Sequence, residues 1–374
     1  MSYNRVEIDL GALAANYRLL NARLLPGCGL LAMVKSEAYG HGLVRCALAL
    51  QEEGCRAFGV AEVEEGARLR QAGIAGRIIV TLGPAPDDDP GEILRHHLEP
   101  VLVDVAQAVR LSAVAEDAGR VIPIHAKIDV GMGRFGELPV EAAAFVARAA
   151  SLPGLNLVGL MSHFPGADSP DPDPTHREFD RYLRLVERIL PELSHRPLLH
   201  IANSAALFRH RQCHCDMVRP GIALYGCSPF GQQANEAAVG LRPVMAVKTS
   251  VVQVKAVPAG WGISYGHRFV TDRPSRMAVL PIGYDDGLLR RLTGRAQVLI
   301  RGGRVPLVGT ICMNACVADV TDLAEVRAGD EVVVLGSQGQ ETISADEIAL
   351  WSETISYEIL CLFGSRNRRV YLDG

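Results

Sequence analysis

The chain has 374 residues, 48% of them hydrophobic and 21% charged, with a formal net charge of −4. That length suits two domains with ample core, and a near-neutral balance without a basic stripe argues against nucleic-acid binding. No apolar run approaches membrane-spanning length, the opening MSYNRVEIDL has no charged-then-apolar leader pattern, and nine cysteines without paired spacing fit a reducing compartment; a cytoplasmic protein without membrane or nucleic-acid partners is expected.

From about residue 10 to residue 226, strand and helix signals alternate. Candidate strands cover 30–34, 57–61, 77–82, 99–103, 122–128, 157–161, 198–202 and 216–224, and helical patterns cover 61–71, 105–118, 141–150 and 177–190. A further helical pattern opens at Leu43 and is stopped by Gly54. Eight strand-then-helix units predict an N-terminal (β/α)8 TIM barrel, an α/β fold; a doubly wound sheet gives a similar alternation, but the count of eight favours the barrel. A Pro/Asp loop at 164–174 follows His163 and either walls a site or is simply solvated. After residue 240 the texture turns β: runs at 245–257, 277–282, 296–300, 305–308 and 331–335, a tight hairpin at Arg301-Gly-Gly-Arg304, and only 344–351 helical, with Ser344 as cap and Glu347 three residues on. The expected domains are 1–240 and a β-rich 241–374, with the first few residues free to pair with the β domain and a polar linker near Ser228, Gly231, Gln232 and Asn235.

Barrel enzymes place their chemistry at the C-terminal strand ends. Those ends carry Lys35; Lys127 and Asp129; His163; Asn203 and Ser204; and Arg219 and Gly221. Such residues are costly to bury apart, so one polar pocket is expected. Lys35 closes a buried strand in AMVKSEAYGHG, which suits either a desolvated amine for Schiff-base chemistry or a lysine snorkelling at a strand edge. The loops after strands seven and eight, Asn203-Ser-Ala-Ala206 and Arg219-Pro-Gly-Ile222, suit a phosphate. A phosphate site opposite such a lysine suggests pyridoxal 5'-phosphate (PLP), with Arg219 beside the pyridine nitrogen.

Gly131-Met-Gly-Arg-Phe-Gly136 matches a dinucleotide fingerprint but sits in the fifth unit and has no acid about 20 residues on, so its glycines are read as presenting Arg134. The cluster His210, Cys213, His214, Cys215 lacks zinc spacing, and no metal is expected. In the β domain, Gly262-Ile-Ser-Tyr-Gly266, Cys312-Met-Asn314 and Ile355-Ser-Tyr-Glu358 each offer a residue able to pack locally or to reach a pocket.

With Lys35 in AMVKSEAYGHG, Arg134 in KIDVGMGRFG, His163 in MSHF, Arg219 in MVRPGIALYG and Tyr265 in GISYGHRF, the chain resembles the alanine racemases from Val6 to its C-terminus. The resemblance implies PLP as a Schiff base on Lys35, with its phosphate bound by Tyr39, Ser204, the backbone of Gly221 and Ile222, and Tyr357. His163 and Asn203 are taken as further cofactor contacts. Lys35 and Tyr265 are implied as the two bases, acting on D- and L-alanine respectively, with His163 and Arg219 helping Tyr265 deprotonate. Arg134 and the backbone of Met313 would bind the substrate carboxylate, and Lys127 matches a lysine that is carbamylated in many members. The family also implies a head-to-tail homodimer in which Tyr265 and Met313 come from the second subunit, and D-alanine supply for peptidoglycan.

Two departures bear on substrate. Asn314 stands where the family has aspartate, and Ser36-Glu37 stand where it has Ala-Asn or Ala-Asp. The rival readings are a serine or broad-specificity racemase and, from another class, a non-catalytic PLP carrier, which would need neither the β domain nor Tyr265.

Overall fold

The computed structural model describes residues 3–231 and 240–372, so Gln232 and Asn235 of the expected linker lie outside the described residues. The first strand, Arg5–Asp9, belongs to the C-terminal sheet. Val6 and Ile8 alternate inward, and the strand runs antiparallel to Met245–Ser250 and parallel to Arg369–Leu372. Asp9 then caps the helix Leu10–Asn21 by accepting the Ala12 N–H at 2.7 Å, which turns the chain out of the sheet.

Eight parallel strands follow. Seven form one sheet: Ala32–Met33, Ala57–Val60, Arg77–Val80, Glu99–Leu102, Ile122–Lys127, Leu155–Met161 and Leu198–His200. The segments Ala57–Val60 and Glu99–Leu102 are buried at every position, as expected of strands covered on both faces. Met217–Val218 closes the ring by pairing with Gly29–Leu30 on one side and through the Arg219 N–H to Ala202 carbonyl bond (2.9 Å) on the other.

The single first strand expected over 30–34 is split at Leu31. Its first half pairs with strand eight and its second half with strand two, the stagger that barrel closure imposes. The long eighth strand expected over 216–224 shrinks to two residues. Pro220 has no N–H to give a ladder, and Ile222–Tyr225 winds into a 3₁₀ turn. Helix Asp173–Ile189 starts four residues before the expected Arg177, because Pro172 and Pro174 suit a helix entrance and the end of the Pro/Asp loop becomes its first turn.

The second layer is a ten-stranded, mostly antiparallel sheet. The expected strand over 245–257 is two strands, Met245–Ser250 and Gln253–Val257. Gln297–Ile300 and Gly303–Val308 form the expected hairpin, with Arg301 (φ 52°) and Gly302 (φ 79°) both left-handed as a two-residue turn requires. The expectation of a single helix here is corrected: Ser356–Arg366 is helical as well as Ala345–Ser352. Ile359, Leu360 and Phe363 bury one face of it, and Gly364 rests on the Gly40 carbonyl so closely that a Cβ would lie 2.0 Å from that oxygen. This contact sets Tyr357 against the mouth of the barrel.

Candidate active site

Lys35 leaves the first barrel strand half-buried. The next four residues, Ser36, Glu37, Ala38 and Tyr39, all have left-handed backbone, with φ of 54°, 55°, 54° and 54°. Left-handed backbone costs roughly 1–2 kcal/mol for each non-glycine residue, so this turn persists only because its surroundings hold it. It delivers Tyr39 into the barrel mouth, 4.9 Å from the Tyr225 ring and 6.0 Å from that of Tyr357. A Cβ at position 221 would lie 2.2 Å from the Tyr39 hydroxyl, so any larger residue there would push Tyr39 aside. Ser204 Oγ accepts the Gly221 N–H at 2.9 Å and the Ala223 N–H at 3.5 Å, which leaves its own hydrogen to donate. Asn203 caps the short helix Ser204–Arg209 through the Ala206 N–H at 3.0 Å.

Arg219, 3% exposed, crosses the barrel mouth. It donates to the carbonyls of Ser162 (2.6 Å) and Ile201 (3.2 Å), to His163 Nδ1 (3.0 Å) and to His200 Nδ1 (3.4 Å). His200 continues to His125 at 3.0 Å, His125 to Glu99 at 3.1 Å, and Glu99 to Arg77 at 2.5 Å. This polar chain through the barrel interior was missed from sequence, because its five members come from five separate strand regions. Arg134 is presented by a loop whose N–H groups at Gly131, Met132 and Arg134 all donate to Asp129, at 2.8, 2.7 and 2.9 Å.

These side chains surround one cavity of about 360 Å³. Lys35, Tyr39, Lys127, Arg134, His163 and Asn203 line it, as do Ser204, Arg219, Gly221, Ile222 and Tyr357. Met33, Thr81, Leu82, Phe135 and Met161 complete the wall. Thr81 was legible in principle, since it follows the third barrel strand. A groove of about 580 Å³ adjoins the cavity through His163, Asn203 and Tyr357, and Phe164, Pro165 and Asp168 of the Pro/Asp loop wall it.

Tyr265 and Met313 do not line the central cavity. They are 73% and 54% exposed and face a separate concavity in the β domain, with Asn314 and Arg290. Asn314 Nδ2 lies 3.4 Å from Asp285 Oδ2, where an aspartate would set two carboxylates together.

Four cationic side chains line the central cavity, and among the described residues Lys35, Lys127 and Arg134 form no salt bridge while Arg219 bonds only neutral acceptors. Burial, with Arg134 nearby, lowers the Lys35 pKa; burial, with Arg219 and Arg134, holds Lys127 well below the usual lysine range. Burial also draws Arg219 down to about 10. Such a pocket favours an anion. Among the described residues no group of three or more His, Cys, Asp or Glu could hold a metal ion, and His214 Nε2 bonds the Leu207 carbonyl.

Burial lowers the pKa of His41 to about 4, and lowers those of His125, His163 and His200. An unfolded histidine titrates near 6.5. Between that pH and the folded pKa only the unfolded chain binds the proton, so stability falls as pH drops through this window. His41 alone contributes roughly 3 kcal/mol of that loss. The melting temperature of the cofactor-free protein is therefore expected to fall steadily from pH 6.5 to 4. A flat profile over that range would show that these histidines are hydrated or charged when folded.

Fold and cavity together define a two-domain barrel enzyme with a lysine set in a pocket lined by basic side chains. Family models for the alanine racemase N-terminal and C-terminal domains match residues 8–229 and 244–371. An alanine racemase of Desulfosudis oleivorans is 42% identical over 98% of this chain and 96% of that protein. The crystal structure of alanine racemase from D-cycloserine-producing Streptomyces lavendulae superposes with a TM-score of 0.94 at 38% identity, covering 99% and 97% of the two chains. The Bartonella henselae alanine racemase with covalently bound pyridoxal phosphate superposes with a TM-score of 0.88 at 28% identity, over 100% of both chains. The chain belongs to the alanine racemase family, and with it to the amino-acid racemases among the isomerases.

Proposed function

We propose that the protein interconverts L- and D-alanine with PLP held on Lys35, and that Lys35 and Tyr265 of a second copy of the chain are the two bases. The observation that carries this reading is the cavity itself: a lysine of lowered pKa, a cradle made by Tyr39, Ser204 and Gly221, and a buried guanidinium meet in about 360 Å³. The residues fit the group: the cradle, with Ile222 and Tyr357 beside it, suits the phosphate, Arg219 the ring nitrogen, and the Lys35 amine the aldehyde. PLP bound there would draw electrons from the substrate Cα and make its proton removable.

Racemisation then needs a base on each face. Lys35 serves one. Tyr265 serves the other, and its exposure on a separate concavity supports a head-to-tail dimer whose sites are shared. A neutral His163 that accepts from Arg219 at Nδ1 carries its proton on Nε2, where it can donate to the Tyr265 oxygen and favour the phenolate. Arg134 binds the substrate carboxylate with the Met313 backbone. A neutral Lys127 amine adds carbon dioxide, losing a proton, and the resulting carbamate is a counter-ion for Arg134 and Arg219. D-alanine made in this way serves peptidoglycan synthesis in the cytoplasm.

Chiral chromatography of L-alanine, L-serine and L-lysine incubated with the PLP-loaded protein tests the substrate. D-alanine is expected to form much faster than the other D-isomers. Comparable turnover of serine would make this a broad-specificity racemase; no racemisation despite bound PLP would leave a carrier.

A further inference from the structure

The opening amides of the left-handed turn after Lys35 are bound by one side chain from the next barrel unit. Glu65 lies in the helix Val63–Gln71 that follows the second barrel strand. Its Oε1 accepts the Ser36 N–H at 2.5 Å and the Glu37 N–H at 3.4 Å, while its Oε2 accepts the Ala61 N–H at 2.8 Å and the Glu62 N–H at 3.4 Å. The opening amides of a left-handed turn, like those at any helix start, have no acceptor within the turn itself and point the same way. Among the described residues no other group accepts from the Ser36 or Glu37 amide. Glu37 is itself tied to Arg68 of the same helix at 2.6 Å and to Arg369 of the last strand at 3.0 Å. The turn is therefore clamped on one side by Glu65 and on the other by Glu37.

We propose that Glu65 is a positioning residue for Lys35: its carboxylate pins the left-handed turn and so fixes the lysine and Tyr39 at the cavity. The assignment rests on reading Lys35 as the cofactor lysine. The chemistry requires a group with acceptors only. Glutamine in its place offers an NH2 toward amides that are donors already, so at most one of the two loops stays bound. Aspartate is one methylene too short to span both. The neighbouring Glu64 is exposed and its side chain makes no hydrogen bond among the described residues, so Glu64→Gln is the control.

The test uses full-length wild type, Glu65→Gln, Glu65→Asp and Glu64→Gln with two readouts. In cofactor-free protein, amide hydrogen exchange at Ser36 and Glu37 is expected to speed up about tenfold or more in both Glu65 variants, with protection at Ile122–Lys127 unchanged. In titrations followed by absorbance, PLP is expected to bind about tenfold more weakly to both Glu65 variants and normally to Glu64→Gln. Retained protection at Ser36 and Glu37 with affinity within about twofold of wild type would overturn the proposal. Exchange that rises equally throughout the barrel would reduce Glu65 to a general stabiliser and overturn it too. A wild type that fails to bind PLP at Lys35 would instead refute the functional reading, while the exchange measurement would still judge the clamp.

Discussion

Mixing Lys35→Ala chains with Tyr265→Phe chains is expected to restore racemisation that neither variant has alone. On the proposed two-base mechanism each variant loses one of the two proton carriers, and loss of a positioned acid or base costs on the order of 10²–10⁴ in rate. The two residues stand in different places in one chain: Lys35 lines the barrel cavity, whereas Tyr265 is 73% exposed on a concavity of the β domain. If each site takes its lysine from one subunit and its tyrosine from the other, a mixed dimer contains one site with both residues intact. Random reassociation in equal amounts makes half the dimers mixed, each with one working site of two, so about a quarter of wild-type activity should return. The gain should follow the mixing ratio and vanish when either chain is omitted. No gain from a mixture shown to have exchanged subunits would mean that Tyr265 serves its own chain or none.

Arg219→Leu is the second large effect, because two opposing terms must be compared. Burial draws the guanidinium down to about 10 from 12.5, so removing the charge relieves on the order of 3 kcal/mol. Against that, the carbonyls of Ser162 and Ile201 and the Nδ1 atoms of His163 and His200 lose their donor inside the barrel. Each buried acceptor left unpaired costs roughly 1–3 kcal/mol. Four such losses outweigh the relief, and a net destabilisation of about 3 kcal/mol is expected. Thermal unfolding of the cofactor-free variant should show it as a melting temperature lower by several degrees. In the PLP-loaded enzyme, racemisation should fall by about 10² or more, the scale for removing one preorganised electrostatic donor. A melting temperature equal to that of wild type would indicate that water satisfies the four acceptors.

Much of this molecule was legible residue by residue. Strands covered on both faces are apolar through their buried length, so Ala57–Val60 and residues 78–80 stood out as short runs between helical patterns. The turn at Arg301-Gly302 was readable because a two-residue hairpin demands φ above zero, which glycine supplies without strain. Lys35, Arg134 and Arg219 were readable because each stands in a local motif at a strand end, and the alternation of strand and helix brings such ends to one face of the barrel.

Other features had no local signal. Ser36–Tyr39 contains no glycine, and nothing in its own sequence calls for left-handed backbone; that conformation exists because Glu65, about thirty residues on, accepts the amides it exposes. The eighth strand looked long until Pro220 and the ring closure at Gly29–Leu30 limited it to two residues. Helix Ser356–Arg366 is fixed by the approach of Gly364 to Gly40 across more than three hundred residues. The chain from Arg219 through His200 and His125 to Glu99 runs between strands that meet only in the closed barrel. Sequence alone determined the periodicities, turn chemistry and the motifs that end each strand, since these follow from neighbours along the chain. Tertiary structure alone decided backbone strain, buried polar partners and which cavity Lys35 and Tyr265 each face, since a buried donor or acceptor must find its complement wherever the fold brings one near.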